Sequence, residues 1–235
     1  MIRVVIRDLA NADAVAEIAA RDLAQKLETL LTSKQSVKLV LTGGTVGIKT
    51  LSQLAPLMEN FDLSRLSIWW GDERFVAADS LDRNFVQARE ALLSKVRIPE
   101  GNIHAMPSTE DGDLLVVTEA FAKSFGAEEP SFDIVLLGMG GDGHVASLFP
   151  ASEPIRFGKW VVAEPNSPKA PSQRISLSYE ALSSANEVWF LVAGEDKAQA
   201  VSMVFQNENL PAAKVTGREL TKWYLDEAAA SEITS

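Results

Sequence analysis

The chain contains no cysteine. That excludes disulfides, thiolate nucleophiles, iron–sulfur clusters and cysteine-type zinc sites together. Histidine is almost as scarce, with only His104 and His144 in 235 residues, so a metal site built from several imidazoles is not expected and the metal expectation is none. Positive charge is also short: 22 Lys and Arg against 32 Asp and Glu leave a net charge of −10. Such a surface repels polyphosphate backbones and anionic bilayers, which argues against nucleic acid and membrane partners. Any phosphate must then be held by a local site. No apolar run approaches the roughly 18 residues of a membrane span. The first residues, Met1-Ile2-Arg3-Val4, are charged too early for a signal peptide. The expectation is a soluble cytoplasmic chain. With 46% apolar residues, it can bury a sizeable core, and disordered and fibrous classes are excluded.

Short β-branched or apolar runs alternate with glycine-bearing turns and helical periodicity, the pattern of parallel strands joined by crossover helices. A strand over Val4 to Ile6 precedes a helix from Asn11 to Leu31, with Asn11 as N-cap and Ala14, Ile18, Leu23, Leu27 and Leu30 or Leu31 facing the core. A strand over Val37 to Leu41 leads into Thr42-Gly43-Gly44-Thr45 and a helix ending near Pro56. Leu66 to Trp70 leads into Gly71-Asp72-Glu73-Arg74, and Asn84 to Leu93 reads as a helix. Phe132 to Leu137 is a continuous apolar run, as expected of a strand buried on both faces, and opens into a loop from Gly138 to His144. Trp160 to Ala163, Arg174 to Ser178 and Glu187 to Ala193 are further strands. The last meets Gly194-Glu195-Asp196 and a helix from Lys197. The fold expected is one three-layer α/β domain over residues 1–235, of modified Rossmann type. It has a mostly parallel central sheet with helices on both faces, a small excursion at 95–130 and a frayed tail at 226–235. Glu164 to Pro171, with three prolines, reads as an extended surface loop.

In such sheets ligands bind beyond the carboxyl ends of the strands. The loops 42–45, 71–74, 138–144 and 194–197 are therefore the candidates. Gly43 and Gly44 at a helix start offer bare N–H groups to an anion, with the Thr42 and Thr45 hydroxyls beside them, although a tight ligand-free turn reads the same way. It is not a Walker A loop, because Lys49-Thr50 stands one residue too late. Gly138, Gly140 and Gly143 match a dinucleotide fingerprint, with Glu164 at the right distance for a ribose. Pro150 and Pro154 cut short the helix that this fingerprint requires, and Asp142 would repel the pyrophosphate. His144 is the natural general base at neutral pH, with Asp142 two residues earlier to orient it. Asp72, Glu73 and Arg74 form either a salt-bridged turn or a functional cluster in which Arg74 faces an oxyanion or phosphate. Lys197, a cation at a helix start, and Arg174 are candidate anion partners.

Leu41-Thr42-Gly43-Gly44-Thr45, Trp70-Gly71-Asp72-Glu73-Arg74-Phe75-Val76, Asn84, Leu137 to His144 with Ala146-Ser147-Leu148-Phe149-Pro150, Pro171 with Arg174 to Ser178, and Gly194 with Lys197-Ala198 together resemble the 6-phosphogluconolactonase family. They stand in the family's order and span most of the chain. The resemblance implies a fold shared with glucosamine-6-phosphate deaminase and ribose-5-phosphate isomerase. It also implies hydrolysis of a small phosphosugar lactone, 6-phospho-D-glucono-1,5-lactone, without metal or cofactor. His144, Arg74, Asp72 and Asp142 would then be catalytic, and Thr42, Gly43, Gly44, Thr45, Gly140, Gly141, Arg174 and Lys197 would bind substrate or its phosphate. A deaminase pattern would place a glutamate five residues after the histidine, where this chain has Phe149. A sugar-phosphate sensor fused to a DNA-binding module is the other alternative, and the acidic charge opposes it. No heptad or long exposed apolar stripe marks an interface, so a monomer is the default.

Overall fold

The structure, a computed structural model, describes residues 2–126, 128–206 and 208–233. Along the chain run β1 (Ile2–Leu9), α1 (Ala12–Ser33), β2 (Val37–Leu41), α2 (Gly44–Leu57), β3 (Leu66–Trp70), β4 (Asp72–Arg74), α3 (Asn84–Ala88), α4 (Leu114–Ser124), β5 (Ile134–Leu137), β6 (Ile155–Phe157), β7 (Val161–Glu164), β8 (Arg174–Leu177), α5 (Tyr179–Leu182), β9 (Glu187–Val192), α6 (Ala198–Phe205), β10 (Leu220–Asp226) and α7 (Glu227–Ala230). Six strands form one sheet in the order β1-β10-β9-β5-β2-β3, and every pairing in it is parallel. Side chains alternate between two cores. Leu39, Leu41, Ile134, Leu136, Trp189 and Leu191 pack with α1 and α2 on one face. Val40, Val135, Leu137, Val188, Phe190 and Val192 pack on the other with residues of α4 and α6. Both faces are covered, which is why residues 39–41, 134–137 and 188–192 read as unbroken apolar runs.

The helix predicted from Asn11 is α1, and the Asn11 side chain accepts from the amides of Asp13 and Ala14 at 3.0 and 3.1 Å. Such a cap contributes about 1 kcal/mol. Its buried stripe differs from the one expected in the first two turns. Ala14 and Ile18 are only partly buried, whereas Val15, Ala16, Ala19, Ala20, Leu23, Ala24, Leu27 and Leu31 face the core. Leu23, Leu27 and Leu31 hold their expected places, and the small alanines at 16, 19, 20 and 24 let α1 lie close to the sheet. The predicted helix from Asn84 is realised as α3 followed by a wider π-type turn at 89–93.

The strands expected at Trp160 to Ala163 and Arg174 to Ser178 exist but do not join the parallel sheet. They are β7 and β8 of a second, antiparallel sheet, ordered β4-β8-β7-β6. Gly71 is the joint between the two sheets: its N–H donates to the Leu41 carbonyl at 3.0 Å and its carbonyl accepts from Leu177 N at 2.8 Å. The chain therefore leaves β3 and enters β4 within one residue. The excursion in this fold is the second sheet at 72–74 and 155–177. The 95–130 segment holds α4, which packs on that sheet. The tail expected to fray instead completes β10 and turns through α7, with the Asp226 carboxylate capping Ala229 N at 2.8 Å. Its final two residues, Thr234 and Ser235, lie outside those described. Among the described residues no helix is long and apolar enough to cross a membrane.

Candidate active site

Strand order reverses around β5: the chain runs outward from β2 to β3 on one side and from β5 to β9 on the other. The loops leaving these strands splay apart there, which is where open α/β sheets bind ligands. A cleft of about 580 Å³ occupies this place, lined by Thr42, Gly43, Gly44, Thr45, Asp72, Arg74, Gly140, His144, Arg174 and Lys197 among others. Ten of the twelve residues expected from the sequence thus converge on one cavity. Asp142 stands behind His144. Gly141 is not among the lining residues; a Cβ there would meet the Asp196 carbonyl at 2.6 Å, so its lack of a side chain lets the 138–144 and 194–197 loops approach.

One wall is the start of α2. Its N-cap, Gly43, makes no side-chain capping bond, so the first amides of a 14-residue helix face the cleft without a side-chain partner. Gly44 has φ +78°, a conformation that glycine adopts without strain. A Cβ on Gly43 would overlap the Asn84 carboxamide, so glycine is required there by contact. Thr42 Oγ1 accepts from Gly138 N at 3.2 Å and ties the two glycine loops together.

The facing wall carries His144. Its Nδ1 is hydrogen-bonded to the Asp142 carboxylate, and a carboxylate accepts, so the proton lies on Nδ1 and Nε2 is left as the basic nitrogen. Burial pushes the imidazole below its ordinary 6.5, outweighing the upward pull of Asp142, and Lys169 adds to the lowering. His144 is therefore neutral at pH 7. Asp142 is held low: its own burial opposes ionisation, but the His144 bond and charge and the Lys169 charge prevail. Gly140 is needed for this pair, because a Cβ there would collide with the imidazole and with Asp142. The Gly140 amide also donates to the His144 carbonyl at 3.0 Å, closing the turn.

The Asp72-Glu73-Arg74 strand forms the floor. Asp72 is buried; its carboxylate accepts from Ser147 Oγ at 2.6 Å and lies 3.9 Å from Arg174 Nη1. The Asn84 carboxamide donates to the Asp72 carbonyl at 2.8 Å. Glu73 is structural. Buried to 1% exposure, it accepts from the amides of Arg74, Asn84 and Phe85 at 2.8 to 2.9 Å, with Arg83 Nε at 3.5 Å. Its carboxyl is pushed up by burial against those hydrogen bonds and the Arg83 charge. Arg74 stands opposite Arg174 in the β4–β8 register, a like-charge pairing that an anion between them would relieve.

Two polar side chains of the cleft lay outside both the expected site and the candidate loops. Asn84, conspicuous in the sequence only as part of the resemblance, is buried against Gly43. Lys169 reaches the cleft from the proline-rich loop expected to run over the surface. Three prolines signal extension, and nothing local shows that Arg174 folds that loop inward. The dinucleotide alternative fails on geometry. No helix follows Gly143, and Glu164 is occupied with Ser152 and Asn166 N, outside the cleft. His104 is core filling, stacked on Trp69 at 3.9 Å between centroids.

A parallel α/β sheet with a bare helix N-terminus opposite a His–Asp pair defines a class: proteins that hold a small anionic ligand beside a general base. Comparison with known proteins narrows this. The family model for glucosamine-6-phosphate isomerases/6-phosphogluconolactonase matches residues 10–223. A 6-phosphogluconolactonase of Streptomyces coelicolor is 42% identical over 93% of this chain and 90% of its own length. One from Mycobacterium tuberculosis is 36% identical over 96% of each. The crystal structure of the Thermotoga maritima 6-phosphogluconolactonase superposes with a TM-score of 0.85 at 29% identity, covering 96% of this chain and all of that one. A monomeric glucosamine-6-phosphate deaminase shares the fold at a TM-score of 0.82 and 19% identity. The chain belongs to the glucosamine-6-phosphate isomerase/6-phosphogluconolactonase family.

Proposed function

We propose that this protein hydrolyses 6-phospho-D-glucono-1,5-lactone to 6-phosphogluconate in the oxidative pentose phosphate pathway. The observation that carries the reading is the His144–Asp142 pair, its imidazole neutral and its carboxylate ionised at pH 7, facing the bare N-terminus of α2. The helix start, with Gly43, Gly44 and Thr45, receives the phosphate together with Lys197. His144 Nε2 takes a proton as water attacks the lactone carbonyl carbon, and Arg74 stabilises the oxyanion that forms. Collapse breaks the bond to the ring oxygen, which takes the proton back from His144. The new carboxylic acid then ionises to solvent. Asp142 holds the tautomer, and Asp72 accepts from a sugar hydroxyl. General-base assistance supplies about 10²–10⁴-fold and an oxyanion donor about 10²–10³-fold.

The deaminase branch of the family is disfavoured by Phe149. Its ring lies 4.6 Å from the imidazole of His144, so an apolar face stands where the resemblance would require a carboxylate. We place the enzyme in the cytoplasm as a monomer. The test is lactone generated in situ and coupled to 6-phosphogluconate dehydrogenase, with the spontaneous rate subtracted. Wild type should far exceed that rate, and His144→Ala should lose two or more orders of magnitude. Wild type at the spontaneous rate would overturn the assignment.

A further inference from the structure

Four cations line the cleft: Arg74, Lys169, Arg174 and Lys197. Three are already engaged. Arg74 Nη1 donates to the Asp82 carbonyl at 2.6 Å. Lys197 Nζ donates to Asp196 at 2.6 Å. Arg174 is buried, giving Nε to the Pro171 carbonyl at 2.7 Å and Nη2 to the carbonyls of Lys169 and Ala170, both at 3.2 Å. The Lys169 ammonium is the exception: among the described residues it has no ion-pair partner.

Its backbone, by contrast, is tied at both ends. Lys169 N donates to Ser167 Oγ at 3.2 Å, and its carbonyl accepts from Ser167 Oγ at 3.0 Å and from Arg174. Ser167 N in turn donates to the Ser172 carbonyl at 2.9 Å, closing the turn. A buried guanidinium spending three donors on successive carbonyls fixes the loop at the cleft wall. An exposed, uncommitted cation on an immobilised backbone is preorganised for an anionic ligand.

We propose that Lys169 is a further substrate-binding residue of this site, giving its ammonium to an anionic oxygen of the bound substrate, and that Arg174 is the positioning residue that holds it there. The proposal deepens the lactonase reading and rests on it for the identity of the substrate. Arg174 then acts through the loop, with three of its five donors spent on the carbonyls of 169–171. The anionic oxygen belongs either to the phosphate or to the oxyanion formed at the lactone carbonyl. Lys169 acts electrostatically on both His144 and Asp142, adding to the burial that holds the general base neutral.

The experiment compares wild type, Lys169→Met, Lys169→Arg and Arg174→Lys. Because Lys169 is exposed, Lys169→Met should fold normally, as circular dichroism and Tm would verify. Its kcat/KM should fall about ten- to hundredfold, with substantial rescue in Lys169→Arg. The acid limb of its pH profile should move to higher pH, a shift that a purely structural role would not produce. A rise in KM with weakened 6-phosphogluconate binding by calorimetry assigns the phosphate; a fall in kcat at constant KM assigns the oxyanion. Arg174→Lys should reproduce part of the defect, and adding it to Lys169→Met should cost little more. A Lys169→Met enzyme within twofold of wild type in kcat, KM, product affinity and pH profile would overturn the proposal. Calorimetry also separates the two readings. If wild type is no lactonase yet loses 6-phosphogluconate affinity on Lys169→Met, the activity assignment fails while this inference survives.

Discussion

Replacing Asp142 with asparagine isolates what the carboxylate does for His144. The perturbation is nearly isosteric, so the turn closed by Gly140 N and the His144 carbonyl should persist. Two things change. First, a charge-assisted hydrogen bond to Nδ1 becomes neutral; such a bond contributes about 1.5–3 kcal/mol, discounted here because Asp142 is 38% exposed and screened by water. Second, the asparagine can present either its oxygen or its amide to Nδ1, and the amide orientation moves the imidazole proton to Nε2, where it disables the base. Together these predict a loss of about 10²–10³-fold in kcat/KM at pH 7.5. The pH dependence has a definite sign. Activity needs neutral His144, so kcat/KM rises with pH through the imidazole pKa and then levels. Asp142 pulls that pKa upward against burial; removing its charge lowers it, and the acid limb must move to lower pH. The assay is the coupled lactonase measurement from pH 5 to 8.5, with spontaneous hydrolysis subtracted at every point. A variant within threefold of wild type, or one whose acid limb moves upward, would refute the pairing as the source of base strength and tautomer.

Gly43→Ala should cut kcat/KM by more than tenfold with little loss of Tm, because its Cβ must displace the Asn84 carboxamide that holds the Asp72 carbonyl. Gly43→Ala with Asn84→Ala should be no worse than Asn84→Ala alone, which steady-state kinetics on the three variants would check. Glu73→Gln should destabilise the fold by about 3 kcal/mol, since it leaves Arg83 buried without its counter-charge; urea unfolding measures it. Stability should also fall between pH 7.5 and 5.5. Burial holds both His144 and His104 below the ordinary 6.5, so the unfolded chain takes up protons near that pH while the folded chain does not. Tm against pH should therefore slope downward toward acid, and His104→Gln should flatten it.

The parallel sheet was legible because its signals are local. Val37–Leu41 and Leu66–Trp70 match the predicted bounds because each is mainly apolar, with only Lys38 and Ser67 intervening, and each ends at a glycine-bearing turn. The second sheet was not legible. β4 is three residues of Asp, Glu and Arg, a composition that no strand propensity favours. It is a strand because Gly71 hands it to β8, a partner about 100 residues away. The same division runs through the site. Gly140 and His144 announce themselves within one loop, and the contact between them explains the glycine. Glu73 looked like part of a charged cluster, yet it faces the α3 amides and supports Arg74 from behind.

The acidity of the chain and the chemistry of its cleft are then reconciled by how the cations are arranged rather than by how many there are. With a net charge of −10, a generic field would repel a phosphosugar, and long-range steering would work against binding at low salt. What remains is short range: helix amides, Lys197 at the start of α6, Arg74 on β4, and Lys169 on the loop that Arg174 fastens. Each comes from a different strand end, so no single motif encodes the anion site. Raising ionic strength should screen the repulsive net charge while leaving contacts of this kind largely intact. The structure therefore predicts a substrate KM that stays level or falls from 0.02 to about 0.2 M salt. A site that depended on long-range attraction would show the opposite slope, and a steep rise in KM over that range would remove the basis for placing the phosphate on these short-range donors.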